Sequence, residues 1–227
     1  MTTAAKAASA VAAASTASAG GIYFGTDLLK SKKTITDLIR EKNPNKRLIT
    51  STTVSDDAWK KAYKAYREEN KEKERGQDSW KLSDWSKPNG NIQEADTTEE
   101  FINKCKSNSG LEASKDNDLL YQQVLKYCTR ATLVSDLIAE NNKGRRLLKS
   151  SGQEGEADWQ KAWNVYKQQN IGKNSNPWSL ADWDSKKAGN DLPTNYKTTC
   201  DTKSSEEAFK TDDEKYLNVL NWCTVPA

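Results

Sequence analysis

The sequence contains one long segment twice: residues 34–129 match residues 133–224 over their whole length. The matched blocks are TITDLIRE with LVSDLIAE, AWKKAYKAYREEN with DWQKAWNVYKQQN, and LYQQVLKYCT with KYLNVLNWCT. Because the matches recur in the same order along the chain, they indicate duplication of a complete folding unit. We therefore predict two tandem homologous domains, residues 34–129 and 130–227, behind a different segment, residues 1–33.

Each copy contains an aromatic stripe with the period of an α-helix. Its members lie at positions i, i+4 and i+7, which share one helix face. The last segment of each copy has the same period, and no stretch shows the alternation typical of a half-buried strand. We predict an all-α fold with about four short helices per copy, whose core includes the stripe residues Trp59, Tyr63, Tyr66, Trp159, Trp163 and Tyr166.

The joint between the copies is very short, since only Arg130, Ala131 and Thr132 separate the two matching segments. Such a joint predicts that the last helix of the first copy continues almost directly into the first helix of the second. We therefore expect the copies to stack rather than to tumble independently.

A tryptophan motif also occurs twice, as WKLSDW at 80–85 and WSLADW at 178–183. Large side chains that recur at equal spacing, between loops that differ, are typical of scaffold packed against helices. Asp84 and Asp182 are then expected to cap a turn or to accept an indole N–H. The alternative is an exposed surface that stacks on sugars or peptides. We assign the motif to the core through Trp80, Trp85, Trp178 and Trp183.

The four cysteines have one spacing, with 23 positions between Cys105 and Cys128 and between Cys200 and Cys223. In each copy the first cysteine lies on the apolar face of the penultimate segment and the second near the end of the last helix. Antiparallel pairing of these segments predicts a disulfide within each copy. Paired buried thiols in a reducing compartment are the main alternative. A four-cysteine zinc site is less consistent with the sequence, because neither copy has a C-x-x-C pair.

The composition removes several classes of function. The chain has no histidine, which excludes Ser-His and Cys-His nucleophiles and nearly all zinc sites. Its net charge of +3 comes from residues 1–33, whereas both copies carry equal numbers of basic and acidic side chains. A nucleic-acid partner is not expected, because binding phosphates requires a basic folded surface.

The amino-terminal segment has a composition of its own. Residues 7–26 carry no charge and consist mainly of Ala, Ser and Gly, which indicates a signal peptide or a signal anchor. A flexible tail is the alternative. Lys30, Lys32 and Lys33 follow this segment and would favour a cytoplasmic position for what comes next. We expect a place at the cell membrane or extracellular surface, with residues 7–26 as a candidate membrane anchor, and a cytoplasmic protein as the alternative.

The complete pattern resembles the large families of uncharacterised paralogous proteins of haemotropic mycoplasmas, of the Mycoplasma haemofelis type. The resemblance rests on SAGGIYFGTDLLKSKKTITDLI, the RRLL-type step, WKLSDW and the terminal YCT or WCT, and it covers the chain from about Gly20 onward. It implies membership of an expanded paralogous set that is displayed or exported as antigen. It supplies no catalytic or ligand-binding residues.

We therefore expect a non-enzymatic surface or exported protein that acts in host interaction or antigenic variation, with an unidentified host or surface partner. The sequence predicts no catalytic residue, no cofactor and no metal site. Two alternatives stay open. One is a carboxylate-based enzyme, such as a glycan hydrolase with two acids near exposed tryptophans. The other is a cytoplasmic structural or interaction protein.

Overall fold

A computed structural model of the chain describes residues 32–114, 118–141, 144–173 and 176–227. The first copy contains helices α1 (Ile35–Lys42), α2 (Asp57–Glu69), α3 (Glu99–Ser109) and α4 (Asp118–Tyr127), with strands β1 (Lys46–Leu48) and β2 (Thr129–Ala131). The second contains helices α5 (Val134–Asn141), α6 (Glu156–Asn170), α7 (Trp183–Lys186), α8 (Tyr196–Ser204) and α9 (Glu214–Trp222), with strands β3 (Arg145–Leu147) and β4 (Thr224–Pro226). The chain is mainly helical, as predicted. The predicted signal or anchor segment at 7–26 lies outside the described residues.

Short polar side chains define the ends of the helices in the first copy. Thr34 accepts the Asp37 N–H at 3.1 Å, and the Asp37 carboxylate accepts the Thr34 N–H at 2.9 Å, so the two residues form a capping box at the start of α1. The Asp56 carboxylate begins α2 by accepting the Ala58 N–H at 2.9 Å. At the other end of α2, the amide of the buried Asn70 donates to the Tyr66 carbonyl at 2.9 Å. These contacts therefore mark the two ends of the helix that carries the aromatic stripe.

The four short strands were not expected from the sequence. Strand β1 pairs antiparallel with β2, with Leu48 opposite Thr129, and β3 pairs antiparallel with β4, with Leu147 opposite Thr224. Each strand has only three residues, too few to show an alternating pattern, and its partner lies at the far end of the same copy. In both copies the pairing joins a short basic strand, β1 or β3, to the residues that follow the last helix.

The buried apolar side chains form two clusters that share no residue. One cluster extends from Ile35 to Cys128, and the other from Val134 to Val225. Each cluster contains one aromatic stripe, one tryptophan motif and one cysteine pair. Among the described residues, each buried cluster is therefore built from one copy.

The hydrogen bonds and ion pairs that the structure describes between the copies concentrate at the joint. The Arg47 guanidinium on β1 donates to both carboxylate oxygens of Glu140 on α5, at 2.7 and 2.8 Å. Arg130 on β2 donates in the same way to Asp136 on α5, at 2.5 and 2.8 Å. The Thr132 hydroxyl donates to the Pro44 carbonyl at 2.9 Å. Bidentate arginine–carboxylate pairs constrain direction as well as distance, so they orient α5 against β1 and β2.

The path of the chain through the joint differs from the prediction. Helix α4 ends at Tyr127, and strand β2 separates it from α5, so the two helices are not continuous. Backbone pairing of Arg130 with Arg47 holds the first two joint residues in the sheet of the first copy. The joint is short but ordered, because its backbone hydrogen bonds are made to the first copy.

Candidate functional site

The tryptophan motif of the first copy lies against the core. Trp80, Leu82 and Trp85 are buried, with exposed fractions of 7%, 1% and 2%. In the second copy Leu180 and Trp183 are buried, whereas Trp178 is only partly buried. The motif therefore offers little indole surface to a ligand.

A buried tyrosine holds each motif in place. The Tyr66 hydroxyl donates to Asp78 Oδ2 at 2.5 Å and accepts the Trp80 N–H at 3.0 Å. In the second copy the Tyr166 hydroxyl donates to Asn176 Oδ1 at 2.6 Å and lies 3.3 Å from the donating Trp178 nitrogen. Burial, and then the Asp78 carboxylate, raises the pKa of Tyr66 well above its usual value. Burial raises the pKa of Tyr166 to about 12, so both hydroxyls keep their proton at neutral pH.

The turn that carries the motif requires a left-handed residue. Lys81 and Ser179, the second residues of the two motifs, have φ values of 50° and 48°. Each donates its backbone N–H back across the turn at 3.0 Å, Lys81 to the Asp78 carbonyl and Ser179 to the Asn176 carbonyl. A non-glycine residue adopts this conformation only when its surroundings enforce it, and here the tyrosine hydrogen bonds do so.

A polar side chain at the start of the next helix holds the tip of each motif. Glu100 accepts the N–H and the hydroxyl of Ser83 at 2.9 and 2.6 Å, and the Asp84 N–H at 3.1 Å. These bonds lower the pKa of Glu100 to about 2, with the Ser83 hydroxyl the largest cause. Asn195 takes the corresponding place in the second copy and accepts the Ala181 N–H at 2.9 Å.

Of the two roles predicted for the motif aspartate, capping a turn or accepting an indole N–H, the second is wrong for the first copy. The Trp80 indole donates to Gln123 Oε1 at 2.9 Å, and the Trp85 indole donates to the Lys73 carbonyl at 2.9 Å. Asp182 in the second copy instead accepts the Thr194 hydroxyl at 3.3 Å. Sequence spacing did not identify Asp78 and Asn176 as partners of the tyrosines. The available signal was a short polar residue two positions before the first tryptophan in both copies.

The stripe residues differ in how deeply they lie. Trp59, Tyr66, Trp159, Trp163 and Tyr166 are at most 2% exposed. Tyr63 is only partly buried, packs against Phe101 with ring centroids 5.1 Å apart, and has the Arg67 guanidinium over its ring at 5.7 Å. Tyr63 therefore lies at the edge of the first core. Its matching residue, Trp163, lies at the centre of the second core.

Both cysteine pairs are joined within their own copy. The Cα atoms are 5.4 Å apart for Cys105–Cys128 and 5.6 Å apart for Cys200–Cys223. Both distances lie within the range that a disulfide spans without backbone movement. All four sulfurs belong to residues that are at most 3% exposed. Each bond therefore links one helix to the end of the next, α3 to α4 and α8 to α9. The four cysteines are not available as surface thiols.

In the described part of the chain, the carboxyl groups with a shifted pKa all favour the charged form. Every carboxyl group there whose pKa is shifted has a lowered pKa; these groups are Asp37, Glu69, Glu100, Asp136 and Asp158. Asp136 shows the cause. Burial raises its pKa, but hydrogen bonds from the Arg130 guanidinium and the Leu133 N–H lower it by more. Among the described residues there is also no group of three or more Cys, Asp or Glu side chains placed to hold a metal ion.

Two pockets are candidates for ligand binding. One, of about 270 Å³, lies beside the Cys105–Cys128 bond, with Ile49, Trp59 and Ile102 in its walls. The other, of about 300 Å³, lies at the joint between the copies, where α1, β1, β2 and α5 meet. We call the second one the junction pocket.

The tyrosine–aspartate contact gives a testable expectation. Asp78→Asn should change the free energy of unfolding by less than ~1 kcal/mol, because the second copy uses Asn176 in the same place and Asp78 Oδ1 has no partner in the described structure. Tyr66→Phe should instead cost ~1 to 3 kcal/mol, since it leaves a buried carboxylate and a backbone N–H without their hydroxyl. Urea denaturation of both variants measures the difference. A loss for Tyr66→Phe as small as the one expected for Asp78→Asn would show that the hydroxyl does not hold the motif.

Comparisons with known proteins returned no similarity: no family model, no curated protein and no solved structure matches this chain. In the part of the chain that the structure describes, no helix is both long enough and apolar enough to cross a membrane.

Proposed function

We propose that the chain is a non-enzymatic interaction protein, exported or displayed at the cell surface, and built from two tandem copies of one disulfide-closed helical domain. We further propose that residues 7–26 act as its signal or anchor, and that it belongs to the paralogous proteins of haemotropic mycoplasmas that it resembles. In this proposal its role is host interaction or antigenic variation.

The observation that carries the proposal is the contrast between core and surface. On the long helices α2 and α6, the buried positions keep their residues, as Trp59 and Trp159 do. Some exposed positions change, as Glu68 and Glu69 of the first copy do to glutamines in the second, although the exposed Lys61 is matched by another lysine. A scaffold that keeps its interior while its exterior changes is suited to presenting variable surfaces.

The cysteine pairs support an oxidising location. Disulfides form and persist in secreted and surface proteins and are rare in a reducing cytosol. Two small cores also gain most from such bonds, because a core of fewer than a hundred residues buries a modest fraction of its surface.

The shifted carboxyl groups support a function without acid catalysis. Glycan hydrolysis by two carboxylates needs one acid that stays protonated near neutral pH, which burial usually provides by raising its pKa. The shifted acids of this chain have lowered pKa values instead, and hydroxyl, arginine, lysine or backbone donors hold them in the charged form. They are suited to structural hydrogen bonds and ion pairs.

The proposal predicts the outcome of treating intact cells that produce the protein with trypsin. We expect the protein to be cleaved while a cytoplasmic marker stays whole, because the copies would lie outside the membrane. Non-reducing peptide mapping of the same cells should recover Cys105 joined to Cys128 and Cys200 joined to Cys223. Full protection together with four free thiols would contradict the proposal and favour the cytoplasmic alternative. Lysed cells, in which both proteins are cleaved, are the control.

A further inference from the structure

The junction pocket has more positive than negative charge in its walls. Four basic side chains line it, Arg40, Lys46, Arg47 and Arg130, against two acidic ones, Asp136 and Glu140. The lining therefore carries a net charge of +2, although each copy as a whole is balanced in charge.

The two carboxylates of the pocket are already neutralised. Glu140 receives two N–H bonds from Arg47, and Asp136 receives two from Arg130. The remaining terminal nitrogen of Arg47 donates to the Pro44 and Lys46 carbonyls and to the Thr132 hydroxyl. These two arginines therefore act first as structural cations that hold the copies together.

The other two cations are not paired. Within the described structure, neither Arg40 on α1 nor Lys46 on β1 has a carboxylate within ion-pair distance. Lys46 is also partly buried, so part of its side chain lies against the walls of the pocket. Two unpaired positive charges thus face one recess.

The walls between these charges are apolar. Ile39 is 2% exposed and Leu48 is partly buried, and both line the pocket. A volume of about 300 Å³ holds roughly ten non-hydrogen atoms, at ~30 Å³ for each one of the size of water. The pocket therefore suits a small organic molecule with one strongly charged end.

We propose that the junction pocket binds a small organic phosphate monoester in its doubly charged form. The phosphate oxygens accept hydrogen bonds from Lys46 and Arg40, and the organic part lies on Ile39 and Leu48. A dianion balances both unpaired cations, and lysine and arginine are the usual partners of phosphate oxygens. This inference does not depend on where the protein is located.

The second copy provides an internal comparison. Its sequence has Ala139 where the first copy has Arg40, and Val225 where the first copy has Arg130. Two of the four cations are therefore missing at the corresponding place. The site belongs to the joint, where the end of the first copy and the start of the second meet.

Calorimetric titration of the full chain with phenyl phosphate, in a buffer of low ionic strength, tests the proposal. We expect saturable binding of one molecule per chain, and binding about tenfold weaker in the double variant Arg40→Gln/Lys46→Met. Glu140→Gln should bind more tightly, because it removes one negative charge and frees Arg47. Lys71→Met, a lysine that is exposed and lies outside the pocket, should bind as the unaltered chain does.

A second titration uses phenyl sulfate, which has the same shape but a single negative charge. We expect it to bind more weakly than phenyl phosphate, since it leaves one cation unbalanced. Absence of saturable phenyl phosphate binding would overturn the proposal, as would equal binding by the double variant and the unaltered chain. Sulfate binding as tight as phosphate binding would overturn the assignment to a dianion. Thermal denaturation of each variant confirms that it is folded.

Discussion

Replacing Trp59 with alanine should lower the free energy of unfolding of the first copy by ~3 to 5 kcal/mol. Trp59 is 1% exposed, and its ring packs edge-on against Phe101 with centroids 6.0 Å apart. Its indole also donates to the Ser51 carbonyl at 2.7 Å, which ties α2 to the segment that follows β1. Alanine would leave a large cavity and an unpaired carbonyl, and the surrounding helices could fill the space only in part.

The loss should be confined to one copy, because the two hydrophobic clusters share no residue. Amide hydrogen exchange checks this: protection should fall in α1–α4 and persist in α5, α6, α8 and α9. Leu119→Ala is the matched control, since Leu119 is 72% exposed and its truncation should change stability by less than ~0.5 kcal/mol. Unchanged stability of Trp59→Ala would show that this indole does not support the core. An equal loss of protection in both copies would show that they unfold as one unit.

Removing one disulfide should have an effect of similar size. The Cys105→Ala/Cys128→Ala variant should lose ~3 kcal/mol of unfolding free energy in the first copy, because the bond closes a loop across 23 positions and so restricts the unfolded chain. Since both residues are at most 3% exposed, a reducing agent should reach the bond only when the copy opens. Reduction should therefore be slow in native buffer and fast in urea.

The corresponding variant of the second copy, Cys200→Ala/Cys223→Ala, is the control. It should lower the melting temperature of α5–α9 and leave that of α1–α4 unchanged, the reverse of the first variant. Calorimetry under oxidising and reducing conditions separates the two transitions. A melting temperature that is the same with and without the bond would contradict a stabilising role.

The repeats and their spacing were sufficient to predict the helical class, the aromatic stripe and the local cysteine pairs. Each of these rests on a period or an interval along the chain. Residues at i, i+4 and i+7 share a helix face whatever surrounds the helix, and one cysteine spacing in two copies can be satisfied most simply inside each copy. The structure places Trp59, Tyr66 and Trp159 in the cores and joins Cys105 to Cys128.

Other features depend on partners that no local pattern reveals. Strand β1 has three residues, and its partner β2 lies at the far end of the copy, so neither shows the alternation that identifies a strand. The path of the joint could not be predicted for the same reason, because Arg130 pairs with a distant strand of the first copy and does not begin a helix. Pairing between distant segments is a property of the folded backbone.

The candidate sites divide in the same way. Sequence alone indicated that the tryptophan motif is scaffold, since large side chains recur there in both copies at one spacing. Only the tertiary structure decided what holds it, the Tyr66 hydroxyl and the Glu100 carboxylate, and only the structure brought Arg40, Lys46 and Arg130 to one pocket. The physical reason is range: helix periodicity acts over a few residues, whereas hydrogen bonds and charges act between groups that the fold brings together from distant positions.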